Sequence, residues 1–160
     1  MTAPTAPRGP APHVLDAALK RRAELRESSR DLVRALEAAS PGREGAWMQR
    51  VVVCLDAFRE DITEHIESTE ATDGLYDEVR AAQPRLTHQV KRLVDDHQVL
   101  RERVDAVCAL AAQAGNDPDP EVVRAVRDRG TEVVGLLQRH RQRGSDLIFE
   151  AYETDIGGAD

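Results

Sequence analysis

Aromatic side chains are nearly missing from this chain: one Trp, two Tyr and two Phe make up 3% of its 160 residues. Whatever core it builds must therefore be aliphatic, and Ala, Leu and Val are plentiful enough to build one. Only two cysteines are present, too few for a disulfide framework, and this usage is expected of a reducing, cytoplasmic setting. No run of about 18 apolar residues occurs, so no membrane-spanning helix is expected. An excess of positive charge is also lacking. The formal charge of −7 argues against a nucleic-acid partner, because such a partner requires a basic face to displace counterions from phosphates. The chain has no Gly-rich phosphate loop, no C-x-x-C, no H-E-x-x-H and no G-x-S-x-G elbow, which removes the common nucleotide, thiol-redox, zinc-protease and serine-hydrolase signatures.

What is present is charge, 32% of residues, interleaved with Ala, Leu and Val, the composition of a helical bundle. The opening "MTAPTAPRGPAP" has no apolar core and reads as a disordered Pro/Ala arm, residues 1–11, rather than a secretory signal. Residues 156–160 read as a flexible tail, leaving one domain over 12–155. Gly, Pro and Asp concentrate in "SPGREG" (Ser40 to Gly45), "TDGLYDEVRAAQP" (Thr72 to Pro84) and "GNDPDP" (Gly115 to Pro120), which stop helices or start turns. Between these breakers apolar residues recur every three to four positions, predicting helices at about 12–39, 45–71, 84–114 and 120–153. Short connections between long amphipathic helices make neighbours antiparallel. The fold expected is all-α, an up-down-up-down antiparallel four-helix bundle.

The buried stripes are not wholly apolar. The first reads Leu15, Ala18, Arg22, Leu25, Ser29, Leu32, Leu36, and the second Val51, Leu55, Phe58, Ile62, His65, Thr69. The third is Leu86, Val90, Leu93, His97, Leu100, Val104, Cys108, Ala111, and the fourth Val133, Leu137, His140, Gly144, Leu147, Ala151. In an antiparallel pair, two residues lie at the same height when the turn joining their helices falls at their midpoint. His65 and His97 are centred on Ala81 in the second connection, and His97 and His140 between Pro118 and Asp119 in the third. The same reflection through the first turn brings Arg22 level with His65. Three imidazoles and a guanidinium are thus expected in one interior layer.

An offset of 75 residues carries Arg22 onto His97, His65 onto His140, and Leu25-Arg26-Glu27 onto Leu100-Arg101-Glu102, so the bundle reads as two copies of one hairpin. Gly144, one turn from His140, weakens a helix interior by roughly 1 kcal/mol relative to Ala and is expected to leave room for a ligand or a neighbour. Cys54 and Cys108 share the midpoint Ala81 and are expected to face the same interior, about 16 Å along the axis from the histidines, as small core residues. His13 and His88 lie off the stripes and are expected in solvent. Tyr76, Phe149 and Tyr152 are expected to gather at one bundle end, with Trp47 packed at the other.

The segments "EHIESTEATDGLYDE", "DDHQVLRERV" and "HRQRGSDLIFEAYE" resemble helices 2, 3 and 4 of hemerythrin-like (HHE cation-binding) proteins, over about residues 14–153. The resemblance implies a four-helix bundle holding non-haem iron through histidines of all four helices and two bridging carboxylates. His65, His97 and His140 match the family's metal ligands. This chain departs from the pattern elsewhere: Arg22 stands where the first helix should supply histidine, Thr69 where the helix 2 carboxylate belongs, and Gly144 or Ser145 where the helix 4 carboxylate belongs. Leu93 and Arg101 occupy the positions flanking His97 where a further histidine often stands. Two irons need anionic oxygen bridges, whereas imidazole binds metal as a neutral group. The retained set suits one ion better, zinc with water as fourth ligand, or iron or manganese if a carboxylate such as Asp61 or Asp146 joins.

The function expected is that of a hemerythrin-like protein with an altered central site, binding dioxygen, peroxide or nitric oxide at non-haem iron, mononuclear or di-iron, or at another single ion, with peroxide breakdown as the activity if metal is held. The alternative is a metal-free regulatory or scaffolding bundle whose Arg22 and histidine layer binds a small anion or a protein partner. Either would be a monomer or a homodimer.

Overall fold

The computed structural model describes residues 11–152. The expected arm and tail, apart from Ala11, lie outside that range. Five helices are formed: α1 (Pro12–Glu37), α2 (Glu44–Glu70), α3 (Leu75–Ala82), α4 (Thr87–Ala112) and α5 (Pro120–Tyr152). Pro12 and Pro120 each open a helix, where a missing N–H loses no hydrogen bond. A short 3-10 turn, Pro84–Leu86, leads into α4.

The four long helices form the expected all-α four-helix bundle. α1 packs on α2 and α5, α4 packs on α2 and α5, and the diagonal pairs barely touch. The second connection differs from the sequence expectation, because α3 occupies eight residues of it. Its buried face, Leu75, Tyr76 and Val79, closes that end of the bundle. Gly74 starts the helix at a crowded point: a Cβ there would come within 2.8 Å of the carbonyl oxygens of Ser68 and Ala71.

The stripes are buried almost as predicted, the exceptions being Leu15, Arg22 and Gly144, each partly exposed. The apolar interior is split in two. One cluster runs from Leu25, Ile62, Leu100 and Leu137 towards Trp47, and a smaller one gathers Ala18, Tyr76, Leu93 and Leu147 at the α3 end. The histidines lie between them. Trp47 packs as expected, with the Arg127 guanidinium 4.8 Å from its ring centre. Phe149 does not join Tyr76 and Tyr152: it is 57% exposed. Two residues past Leu147 turns a helix by about 200°, which points Phe149 away from the stripe. His13 and His88 are exposed as expected.

Candidate metal centre

His65 on α2, His97 on α4 and His140 on α5 are 2–7% exposed and meet in one layer. Their Nε2 atoms form a nearly equilateral triangle: His65 to His140 3.2 Å, His65 to His97 3.3 Å, His97 to His140 3.1 Å. Among the described residues this is the one histidine, cysteine or carboxylate cluster with metal-ligating spacing. Tetrahedral bonds of about 2.0–2.1 Å set zinc-bound nitrogens about 3.3–3.4 Å apart, close to this triangle.

The opposite ring edges explain which nitrogens carry protons. Nδ1 of His97 lies 2.6 Å from Oε1 of Glu70, and Nδ1 of His140 lies 3.4 Å from Oδ2 of Asp96. A carboxylate accepts the Nδ1 proton and leaves Nε2 as a bare lone pair, the arrangement that orients metal-binding imidazoles. Asp96 is itself fixed by Arg143, whose Nη1 donates to both carboxylate oxygens at 2.6 and 2.7 Å. His65 has no such partner, and its buried Nδ1 makes no hydrogen bond. Burial disfavours protonation throughout: His97 and His140 are each brought down to about 4, and His65 is held well below the usual histidine range, with its two neighbouring imidazoles adding to the effect. Two neutral rings with protonated Nδ1 present lone pairs to each other at 3.1 Å, a repulsive contact that a shared cation removes.

Tyr76 completes one wall. Its ring stacks on His97 with centroids 5.7 Å apart and its hydroxyl lies 3.4 Å from the His97 Nε2. Burial pushes the phenol well above its ordinary range, so the hydroxyl stays protonated. A cavity of about 20 Å³ opens beside the triangle, bounded by Arg22, His65, Thr69, Tyr76, His140 and Gly144 among others. That is room for a ligand of about water size. Thr69, where the family resemblance expects a carboxylate, turns its hydroxyl onto its own helix and donates to the His65 carbonyl at 2.8 Å.

Arg22 stands at the cavity as its height predicted, but it is only partly buried. Its Nη2 donates to the Arg141 carbonyl at 3.2 Å and to the Ser145 hydroxyl at 2.6 Å. Gly144 is not needed to make room, contrary to the sequence expectation: a Cβ there would meet Arg22 Nη1 at 3.9 Å, an ordinary contact. The carboxylates singled out from sequence are not those that reach the rings. Asp146 is exposed and accepts from Gln142 at 2.9 Å, and Asp61 is half-buried without contact to an imidazole. Glu70 and Asp96 take that role, each adjacent in sequence to a stripe residue, Thr69 and His97. Cys54 is half-buried and Cys108 buried; both are free thiols raised by burial, Cys54 also by Asp31, and Cys108 has its Sγ 4.0 Å from the Leu55 carbonyl.

The chain matches no family model, no curated protein and no solved structure.

Proposed function

We propose that the histidine layer holds one divalent metal ion through the Nε2 atoms of His65, His97 and His140, and that the protein is a hemerythrin-like binder of a small oxidant. The observation that carries this reading is the Nε2 triangle, with edges of 3.1–3.3 Å and carboxylates behind two of its three corners. The donor set does not suit a two-iron centre. No carboxylate contacts a ring at Nε2, and Arg22, Thr69 and Gly144 stand where the bridging and additional ligands would be. It suits a single ion with a position left open, non-haem iron in the hemerythrin-like reading, which would supply Lewis-acid or redox chemistry to dioxygen, peroxide or nitric oxide.

The surrounding residues do the selecting. The cavity of about 20 Å³ admits only a ligand of a few atoms. Arg22 presents positive charge to anything bound there, which favours an anionic form such as deprotonated peroxide. Tyr76 offers a hydroxyl proton at the His97 side. A second reading rests on Arg22, which lines the same cavity as His65 and His140 without a carboxylate partner: a metal-free bundle that takes a small anion there and acts as a regulator or scaffold.

Metal analysis of untagged protein grown in iron-supplemented medium separates the two. Near-stoichiometric metal that disappears in a His65→Ala, His97→Ala variant supports the first. Failure to bind iron or zinc after anaerobic loading overturns it in favour of the second. An absorption band induced by azide or peroxide would then identify iron and its open position.

A further inference from the structure

The outer face between α1 and α5 carries a second feature, independent of the metal. Arg22, Arg26, Arg30 and Arg34 recur every fourth residue along α1 and so stand one above another, about 6 Å apart. The last three, with Arg141 of α5, line a groove of about 610 Å³ whose floor is Val33 and Leu137 and whose wall includes the Ser29 hydroxyl. No carboxylate lines it, in a chain whose net charge is −7.

These cations are poorly compensated. Among the described residues Arg26 and Arg30 form no ion pair, and Arg34 pairs only with its helix neighbour Asp31 at 3.2 Å. The Nε of Arg141 is buried and lacks a hydrogen-bond partner. Like charges held together around a concave surface disfavour the empty protein and favour a bound anion. Guanidinium groups match tetrahedral oxyanions through paired N–H donors, and several of them a turn apart exceed what one monoanion can neutralise. The groove has the volume of a small-molecule site, and the acidic remainder of the surface repels extended polyanions at long range.

We propose that this groove binds a small molecule bearing a chain of two or more phosphate groups, gripped by Arg26, Arg30 and Arg141. Calorimetric titration of the full chain with inorganic tripolyphosphate, and separately with ATP in magnesium-free buffer, tests it and tells an inorganic from a nucleotide source. Both Arg26→Gln and Arg30→Gln change exposed side chains, so the variants fold. Each should weaken tripolyphosphate about tenfold, the loss of one charge-assisted contact, while leaving the thermal midpoint of the free protein equal or higher. Binding should persist after metal is removed by dialysis against a chelator, which distinguishes failure here from failure of the metal reading. Affinity no greater than for matched sodium chloride, affinity unchanged in the Arg26→Gln, Arg30→Gln double variant, or binding of a single-stranded oligonucleotide or acidic peptide without tripolyphosphate would each overturn the proposal.

Discussion

Replacing Glu70 by Gln should weaken metal binding at the histidine layer about tenfold while leaving the bundle folded. The Glu70 Oε1 lies 2.6 Å from the His97 Nδ1, short enough for a charge-assisted hydrogen bond. Such bonds contribute about 1.5–3 kcal/mol against about 0.5–1.5 kcal/mol for neutral ones, so a neutral amide acceptor forfeits about 1–1.5 kcal/mol. The loss falls on metal affinity because the carboxylate holds the proton on Nδ1 and keeps Nε2 bare. Carboxylates placed behind metal-bound histidines typically change affinity by about 10- to 100-fold. Glu70 has a side chain 34% exposed, and water replaces part of what is lost, so the lower end of that range applies.

Cobalt is the convenient probe, since its visible absorption reports a tetrahedral site directly. Titration with competition by a chelator of known affinity should give the tenfold loss for Glu70→Gln, no change for Asp61→Asn or Asp146→Asn, and complete loss for His97→Ala. Circular dichroism should show the Glu70→Gln fold intact, as expected for a partly exposed substitution. If Glu70→Gln binds cobalt as tightly as the parent, or Asp61→Asn weakens it equally, the carboxylate-backed account of the site is wrong.

Three further outcomes are expected. In metal-free protein, stability should be complete above about pH 6.5 and fall as pH drops towards about 4, because the unfolded chain protonates histidines that the fold holds neutral; each contributes at most about 1.4 kcal/mol per pH unit in that window, and urea midpoints rising with acidity would contradict it. Gly144→Ala should stabilise by up to about 1 kcal/mol, since a Cβ there makes only an ordinary 3.9 Å contact, whereas Gly130→Ala, facing Leu36 at 2.9 Å, should gain less or lose stability; thermal midpoints decide. A maleimide should label half-buried Cys54 before buried Cys108, slowly for both at neutral pH because burial raises each thiol; mass spectrometry showing Cys108 labelled first would refute this.

Much of the fold was legible because helical periodicity reports burial directly: thirteen of the fourteen residues named on the second and third stripes pack as apolar or histidine core, and Thr69 is buried with them. Reflection through the turns located the histidine layer for the same reason, since rigid antiparallel rods preserve height. Side-chain reach was less legible. Glu70 and Asp96 lie beside their stripes, and their direction depends on the interhelical space between α2, α4 and α5, which no spacing rule records. Asp61 has the spacing of a ligand but faces elsewhere. The helix α3 was obscured by its flanking Gly74, Pro84 and turn residues, although Leu75, Tyr76 and Val79 already formed a one-turn apolar face.

The position of the histidine layer also bears on why it is there. Apolar side chains at these three points would join the two core clusters into one, and replacing buried polar groups with apolar ones of similar volume is often neutral or stabilising. The layer instead interrupts the core with three rings whose Nε2 atoms converge, two of them backed by carboxylates at Nδ1, and a His65 Nδ1 that has no partner. Such an arrangement is costly as packing, and under the proposed metal reading a cation accepting the three Nε2 lone pairs would offset that cost. The carboxylates lie on the outer ring edges, where they fix the tautomer without occupying the centre. Packing alone gives no reason for converging Nε2 atoms backed by carboxylates, which is the combination that the proposed single-ion site would use.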